Sequence, residues 1–212
     1  MKPVERFRIE KPPLVIEAEK LAGELGFPLL PEGRPVGHDG PASACVPPMG
    51  ALLMTLVASK PGGRIGEFGT GSGVGSAWIA GGLQGGAVLV TCEIDADLIR
   101  HVKALFKGRA EIDIRHTDWE TMMVDEPPFD LLFMDSGVAE ALVPDRWNEI
   151  TELVCVGGQI VFDDIVPVGL WPDDWSDRVD MKREFALRNS RVVSSEVGLT
   201  SLASALIVTR IE

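Results

Sequence analysis

The sequence predicts a doubly wound α/β domain preceded by a helical and irregular extension, and three observations carry that prediction. Arg64 to Phe68 reads as a short strand that runs into a loop with glycine at Gly69, Gly71, Gly73 and Gly75, followed by a helix from near Val74. Apolar runs ending in acids then alternate with amphipathic stretches, the βαβαβ pattern of a parallel sheet flanked by helices. Two further strand-like segments, Arg191 to Val197 and Ala203 to Thr209, meet near Gly198 as a terminal pair.

Taken in order, Met1 to Pro13 is charged and broken by proline, and Leu14 to Leu25 carries apolar residues at helical spacing. Phe27 to Pro48 holds six prolines and several glycines, so it is expected to be irregular and able to fold over a site. Met49 to Ser59 is apolar nearly all round, as a buried helix is, and Pro61, Gly62 and Gly63 stop it. Residues 1–60 therefore read as an extension that caps the site of its own subunit or packs against a second copy in a homodimer, and 61–212 as the α/β domain proper. Ala87 to Glu93 is a central strand, Asp97 to Lys107 a helix with Leu98, Val102, Leu105 and Phe106 inward, and Ala110 to His116 a third strand. Phe129 to Asp135 and Gly158 to Asp164 are the fourth and fifth strands, with a helix over Asp145 to Val154 between them. Trp171 to Asn189 reads as a loop and then a helix from about Asp177.

The formal charge is −12, from 20 basic and 32 acidic residues with no run of Lys or Arg. Such a surface repels a phosphate backbone, so no nucleic acid is expected as partner, and a small molecule is. Cys45, Cys92 and Cys155 lie far apart, the latter two in apolar stretches, and read as free thiols of a reducing compartment. Met1 to Pro13 has no apolar signal core, and Met49 to Ala58 is too short to span a bilayer. A cytoplasmic protein without membrane attachment is expected.

The glycine loop lacks the G-x-G-x-x-G spacing of dinucleotide sites and reads acid-x-Gly-x-Gly-x-Gly through Glu67, Gly69, Gly71 and Gly73. A carboxylate at the strand end would repel a pyrophosphate at the helix N-terminus, whereas it would attract a ligand with an ammonium and a sulfonium. The run EFGTGSGVGSAWIA resembles the class I S-adenosylmethionine-dependent methyltransferases, and is most similar to their small-molecule O-methyltransferases of the catechol and caffeoyl-CoA type. The resemblance spans roughly Met49 to Ile211. It implies a Rossmann-like, seven-stranded, mostly parallel sheet whose last strand runs antiparallel. It also implies S-adenosylmethionine held by Glu67, Gly69, Gly71, Ser72 and Gly73, and methyl transfer to a hydroxyl of a small, aromatic or catechol-like metabolite.

Ligands of open α/β sheets lie beyond the carboxyl ends of the strands. There the chain carries Glu93, Asp118 with Trp119, Asp135, and Asp163 with Asp164. Glu93 follows Gly73 by 20 residues, the separation at which a carboxylate reaches ribose hydroxyls, and the resemblance implies the same task. The resemblance puts Asp118 on the adenine amino group and Trp119 on its ring, although Trp119 suits the core equally. Asp135, Asp163 and Asp164 would repel one another, with no Lys or Arg in Ser136 to Glu140 or Ile165 to Gly169. A bound Mg²⁺ or another divalent cation would relieve this. So would protonation of one carboxyl, or a division in which Asp135 serves the cofactor and Asp163 or Asp164 is the base. The resemblance implies a metal site of Asp135, Asp163 and Asp164, the last standing where Asn is usual.

Those relatives commonly carry a basic residue shortly after the position of Asp135, where this chain has Ser136, Gly137, Val138, Ala139 and Glu140. The catalytic candidates are therefore His38, which with Asp39 forms an adjacent pair suited to neutral pH, together with Asp135 and Asp164; Glu140 is a further base. Trp171 and Trp175, in WPDDW, suit either a wall for a flat acceptor or an anchor for their loop. Two other readings stand beside this one. A nicotinamide oxidoreductase is opposed by Glu67, by the glycine spacing and by the absence of tyrosine. A cofactor-binding domain without turnover is favoured by the missing base.

Overall fold

The computed structural model describes residues 9–33, 43–123, 126–135 and 138–212. Its helices are α1 (Pro13–Glu24), α2 (Pro47–Ala58), α3 (Val74–Gly82), α4 (Ala96–Leu105), α5 (Trp119–Met123), α6 (Trp147–Glu152) and α7 (Met181–Arg188). The strands are β1 (Arg64–Phe68), β2 (Val88–Glu93), β3 (Ile112–His116), β4 (Phe129–Met134), β5 (Val154–Ile165), β6 (Val192–Gly198) and β7 (Ser204–Arg210). They form one seven-stranded sheet in the order β3-β2-β1-β4-β5-β7-β6. The pairs from β3 through β5 are parallel, and β7 runs antiparallel to both β5 and β6. The expected sheet with its reversed last strand is borne out.

The central strands are apolar on both faces because helices cover both: Ile65, Phe68, Leu131, Leu132 and Phe133 are fully buried. Strand order reverses at β1, so the ends of β1, β2 and β4 open a crevice at the carboxyl edge, where such sheets bind ligands. The extension joins this core. Met49, Leu53 and Val57 of α2 pack in one cluster with Ile65, Leu89, Leu131 and Phe133. Gly50 of α2 faces the indole of Trp78 on α3, and a Cβ there would lie 2.2 Å from the ring.

Several boundaries differ from those the periodicity predicts. The helix expected over Asp145 to Val154 is α6 alone, preceded by a 3₁₀ turn at Pro144–Arg146. The apolar Val154 belongs to β5, which pairs with Phe129, slips register and resumes at Gln159 opposite Leu131. Helix α7 starts at Met181, not near Asp177, because the Asp180 carboxylate accepts from the N–H groups of Lys182 and Arg183 and fixes the first turn. On α4 it is Ile99, with Val102, that is buried, while Leu98 faces the crevice. Helix α5, five residues long, is too short for periodicity to reveal.

Candidate active site

The glycine loop is held from behind by a buried polar network centred on Glu67. Its carboxylate, 1% exposed, accepts hydrogen bonds from the hydroxyls of Ser76 and Thr91, the latter at 2.7 Å. Thr91 in turn pairs with the Thr70 hydroxyl at 2.7 Å, so β1, β2, the loop and α3 are joined through one carboxyl group. Burial pushes the Glu67 pKa up to about 7 against the two hydroxyl donors, with Glu93 adding repulsion. Gly75 makes the approach possible: a Cβ there would sit 2.7 Å from Glu67 Oε1. Gly73 caps α3 in the left-handed region at φ 84°, which an L side chain adopts only with strain. Glu67 and Gly73 thus shape the loop from outside the crevice lining.

In front of the loop lies a cleft of about 510 Å³. Of the residues expected to bind cofactor, Gly69, Gly71, Ser72, Glu93 and Asp135 line it. The Glu93 carboxylate accepts from Gly71 N at 2.9 Å, Ile94 N at 2.8 Å and Asp95 N at 3.0 Å. That fixes the carboxylate beside the loop with lone pairs to spare for hydroxyl donors. Phe27 and Ser43 to Cys45 also line the cleft, so both described flanks of the proline-rich segment face it. His38 and Asp39 lie outside the described residues.

Asp118 and Trp119, expected at the adenine end, stand at the start of α5. Asp118 caps α5, accepting from Thr121 N and Thr121 Oγ1, both at 2.7 Å, and these bonds hold its pKa below the usual carboxylate value. Trp119 stacks on Phe68 with ring centroids 5.3 Å apart and has the Arg146 guanidinium 5.5 Å over its ring. Neither lines the cleft. Ile94, Asp95 and Leu98 do, and reasoning from the sequence missed them because they follow the acid of β2 rather than end a strand.

At the far end of the cleft the acids of β4 and β5 gather. Asp163 is 7% exposed, and its carboxylate accepts from Asp164 N at 2.7 Å. Asp164 takes a left-handed φ of 56° where β5 loses register with β7 between Phe162 and Ile165. Burial first, then the Asp164 charge, lifts the Asp163 pKa to about 7. Asp135 is raised well above the carboxylate range by burial, with Asp163, Asp164 and Glu67 adding repulsion and Lys182 opposing it. Cys45, across the cleft, is likewise held as a thiol by burial and by the same acids.

Lys182 is the residue that the sequence analysis missed. It lies on α7, 18 positions past Asp164, and its ammonium donates to the Asp163 carbonyl at 2.6 Å. Among the described residues no three His, Cys, Asp or Glu side chains are grouped closely enough to hold an ion as they stand, so the expected metal set of Asp135, Asp163 and Asp164 is not formed in this arrangement. One oxygen of the Asp163 carboxylate is engaged by its own turn, and the nearby cation is an ammonium.

A second cleft of about 320 Å³ adjoins, lined by Trp171, Trp175, Arg178, Met181 and Lys182 with Glu140 and Asp164. Asp164 lines both clefts, so the two meet at that residue. Trp171 and Trp175 stand edge to face with centroids 6.1 Å apart, Arg178 lies 4.2 Å over the Trp175 ring, and Trp171 Nε1 donates to the Val166 carbonyl at 3.1 Å. The indoles both anchor their loop and wall the cleft.

A reversed last strand, a glycine loop pinned by an acid, and a cleft over the β1, β2 and β4 ends define a methyltransferase of the doubly wound class. Residues 31–193 match the family model of protein-L-isoaspartate(D-aspartate) O-methyltransferase, and the chain belongs to that family. A Mycobacterium avium protein named "Putative O-methyltransferase" is 34% identical over 143 residues, covering 63% of this chain and 62% of that protein; the match thus spans about three fifths of the relative. The fold is shared with the Bacillus cereus O-methyltransferase solved with S-adenosylhomocysteine (TM-score 0.70, 20% identity, 98% of this chain and 95% of that one). It is shared too with the Streptomyces achromogenes O-methyltransferase TomG, solved with S-adenosylmethionine (TM-score 0.71, 20% identity, 99% and 94%). The expected kinship with S-adenosylmethionine-dependent methyltransferases is borne out. Among the described residues no helix is long and apolar enough to cross a membrane.

Proposed function

We propose that the protein is an S-adenosylmethionine-dependent O-methyltransferase acting on a hydroxyl of a small, flat, aromatic metabolite. The observation that carries this is the meeting of two clefts at Asp164, one over the glycine loop and one walled by Trp171 and Trp175. Methyl transfer between two bound molecules needs that arrangement, because the reacting atoms must be held in line at near contact.

The residues of the first cleft fit the cofactor. Gly71 N–H and Glu93 frame the ribose position, Ile94 and Leu98 offer apolar surface to a purine, and Asp135 and the glycine loop face the amino-acid end. When bound, S-adenosylmethionine supplies an electrophilic methyl: the acceptor oxygen forms the C–O bond while the C–S bond breaks onto sulfur, leaving S-adenosylhomocysteine. Asp164, exposed and on both clefts, is the group that takes the acceptor's proton and passes it to solvent. No divalent ion is given a step, because an ammonium, that of Lys182, already reaches the acid cluster.

The test is calorimetric titration with S-adenosylhomocysteine, then methyl transfer across a panel of phenols, catechols and hydroxyarenes. An isoaspartyl peptide goes in the same panel, because the family's name carries that acceptor. Micromolar cofactor binding and turnover of a hydroxyarene are expected; absence of cofactor binding would sink the reading.

A further inference from the structure

We infer that Lys182 is a catalytic residue, the cation of the transfer centre, contacting the acceptor oxygen directly in the position where a metal-dependent enzyme would use a divalent ion. The inference rests on the methyl-transfer reading above and starts from a problem in that reading. Asp164 lines both clefts, with Asp163 bonded to its N–H and Asp135 on the first cleft, so carboxyl groups crowd the point where the acceptor must lose its proton. The charge of the exposed Asp164 makes a nearby hydroxyl harder to ionise, which opposes the reaction unless a cation answers it.

Three features make Lys182 that cation. Its Nζ is fixed by the Asp163 carbonyl at 2.6 Å, so the side chain reaches from α7 into the acid cluster. An ammonium has three donors, and this contact uses one, leaving two for an incoming oxygen. The root of the side chain is also fixed, because the Asp180 carboxylate accepts from Lys182 N at 3.1 Å in the first turn of α7. The neighbouring Arg183 is not available for the task. Its guanidinium is held by Asp180 at 2.7 Å, by Glu196 at 2.7 and 2.9 Å and by the Val166 carbonyl at 3.0 Å. Among the described residues Lys182 is in no such ion pair, and it lines the tryptophan-walled cleft beside Asp164.

The chemistry then balances within the chain's own groups. The acceptor O–H would give its proton to the Asp164 carboxylate, the developing oxyanion would be met by the Lys182 ammonium, and the oxygen's electron pair would form the C–O bond as the C–S bond breaks onto sulfur. The ammonium keeps its proton throughout. Its role is electrostatic, of the kind that a preorganised donor plays at a developing charge.

The experiment uses the full chain after chelator treatment, as wild type, Lys182→Met, Lys182→Arg and Lys182→Met combined with Asp163→Asn. Three quantities are read: S-adenosylhomocysteine affinity, Mn²⁺ binding by electron paramagnetic resonance, and kcat with KM on the hydroxyarene panel. Cofactor affinity is expected to stay constant, which also shows that each variant folds. Lys182→Met is expected to lose roughly a hundredfold in kcat with KM for S-adenosylmethionine unchanged, and Lys182→Arg to keep part of the rate. The wild type is expected to bind no Mn²⁺ at the cluster, while Lys182→Met gains a Mn²⁺ site that the added Asp163→Asn removes. A Mn²⁺ site already present in the wild type, no gain of one in Lys182→Met, or near wild-type kcat in that variant overturns the inference. Failure of the wild type to bind S-adenosylhomocysteine would instead remove the methyltransferase reading, and the Mn²⁺ arm decides the role of Lys182 without any acceptor.

Discussion

The two halves of the site are built by opposite means. On the cofactor side a buried carboxyl, Glu67, is closed off by hydroxyls from Ser76 and Thr91, and both donors lie in the same βαβ unit as the acid. On the proposed acceptor side Asp164 of β5 and Lys182 of α7 line the second cleft, with Lys182 donating to the Asp163 carbonyl, and the charge there faces that cleft. The first is a fixture that shapes a loop, and the second is an open electrostatic problem that a bound acceptor completes. The difference teaches that a buried acid with a raised pKa need not be catalytic, since Glu67 and Asp163 both stand near 7 while Asp163 alone neighbours the reacting point.

The largest effect should come from breaking the fixture. Gly75→Val would drive a side chain into the Glu67 carboxylate, where even a Cβ comes to 2.7 Å, and into the Phe133 ring. Overpacking of this kind costs about 1–3 kcal/mol, and we expect it to abolish S-adenosylhomocysteine binding in calorimetry while circular dichroism still reports a folded sheet. Retained affinity would show that the loop adapts.

The acceptor side should answer differently. Trp171→Ala removes one wall of the second cleft, so KM for the acceptor is expected to rise about tenfold with S-adenosylhomocysteine affinity unchanged. A variant that loses both would mean that the indole matters to the whole edge of the sheet rather than to one cleft.

The next prediction concerns pH. The Glu67 carboxyl has a folded pKa of about 7, above its ordinary value of 4.5, so it holds its proton more tightly folded than unfolded. The stability it contributes is complete below about pH 4.5 and is lost as pH rises through about 7. Glu67→Gln cannot ionise, so its Tm relative to wild type should be higher at pH 8 than at pH 5. Parallel melting curves across that range would refute the closed network. The smallest effect is reserved for Asp118→Ala, which should lower Tm slightly through the loss of the α5 cap and leave cofactor affinity untouched, the reverse of what an adenine ligand would do.

The same contrast explains what was legible in the sequence. Gly69, Gly71, Ser72 and Glu93 could be read because a strand, its loop and the next strand end are ordered along the chain as they are in space. Phe27 and Cys45 were foreshadowed only as part of a proline-rich segment able to cover a site. Asp118 and Trp119 were ambiguous because an acid and an aromatic after a strand look alike whether they face a ligand or start a five-residue helix packed on Phe68. Lys182 was invisible for another reason. Chain neighbours of Asp135 and Asp164 carry no cation, whereas the ammonium arrives across space from a helix whose start is set by Asp180.

The position of β7 has a consequence for how the protein is made. Strands β3, β2, β1 and β4 can pair as soon as Met134 has left the ribosome, so the cofactor half has its sheet early. The free edge of β5, which carries Asp163 and Asp164 near its end, stays uncovered until Ser204 to Arg210 are synthesised and slide between β5 and β6. During translation, a nascent chain would therefore acquire its cofactor-binding half before its chemistry.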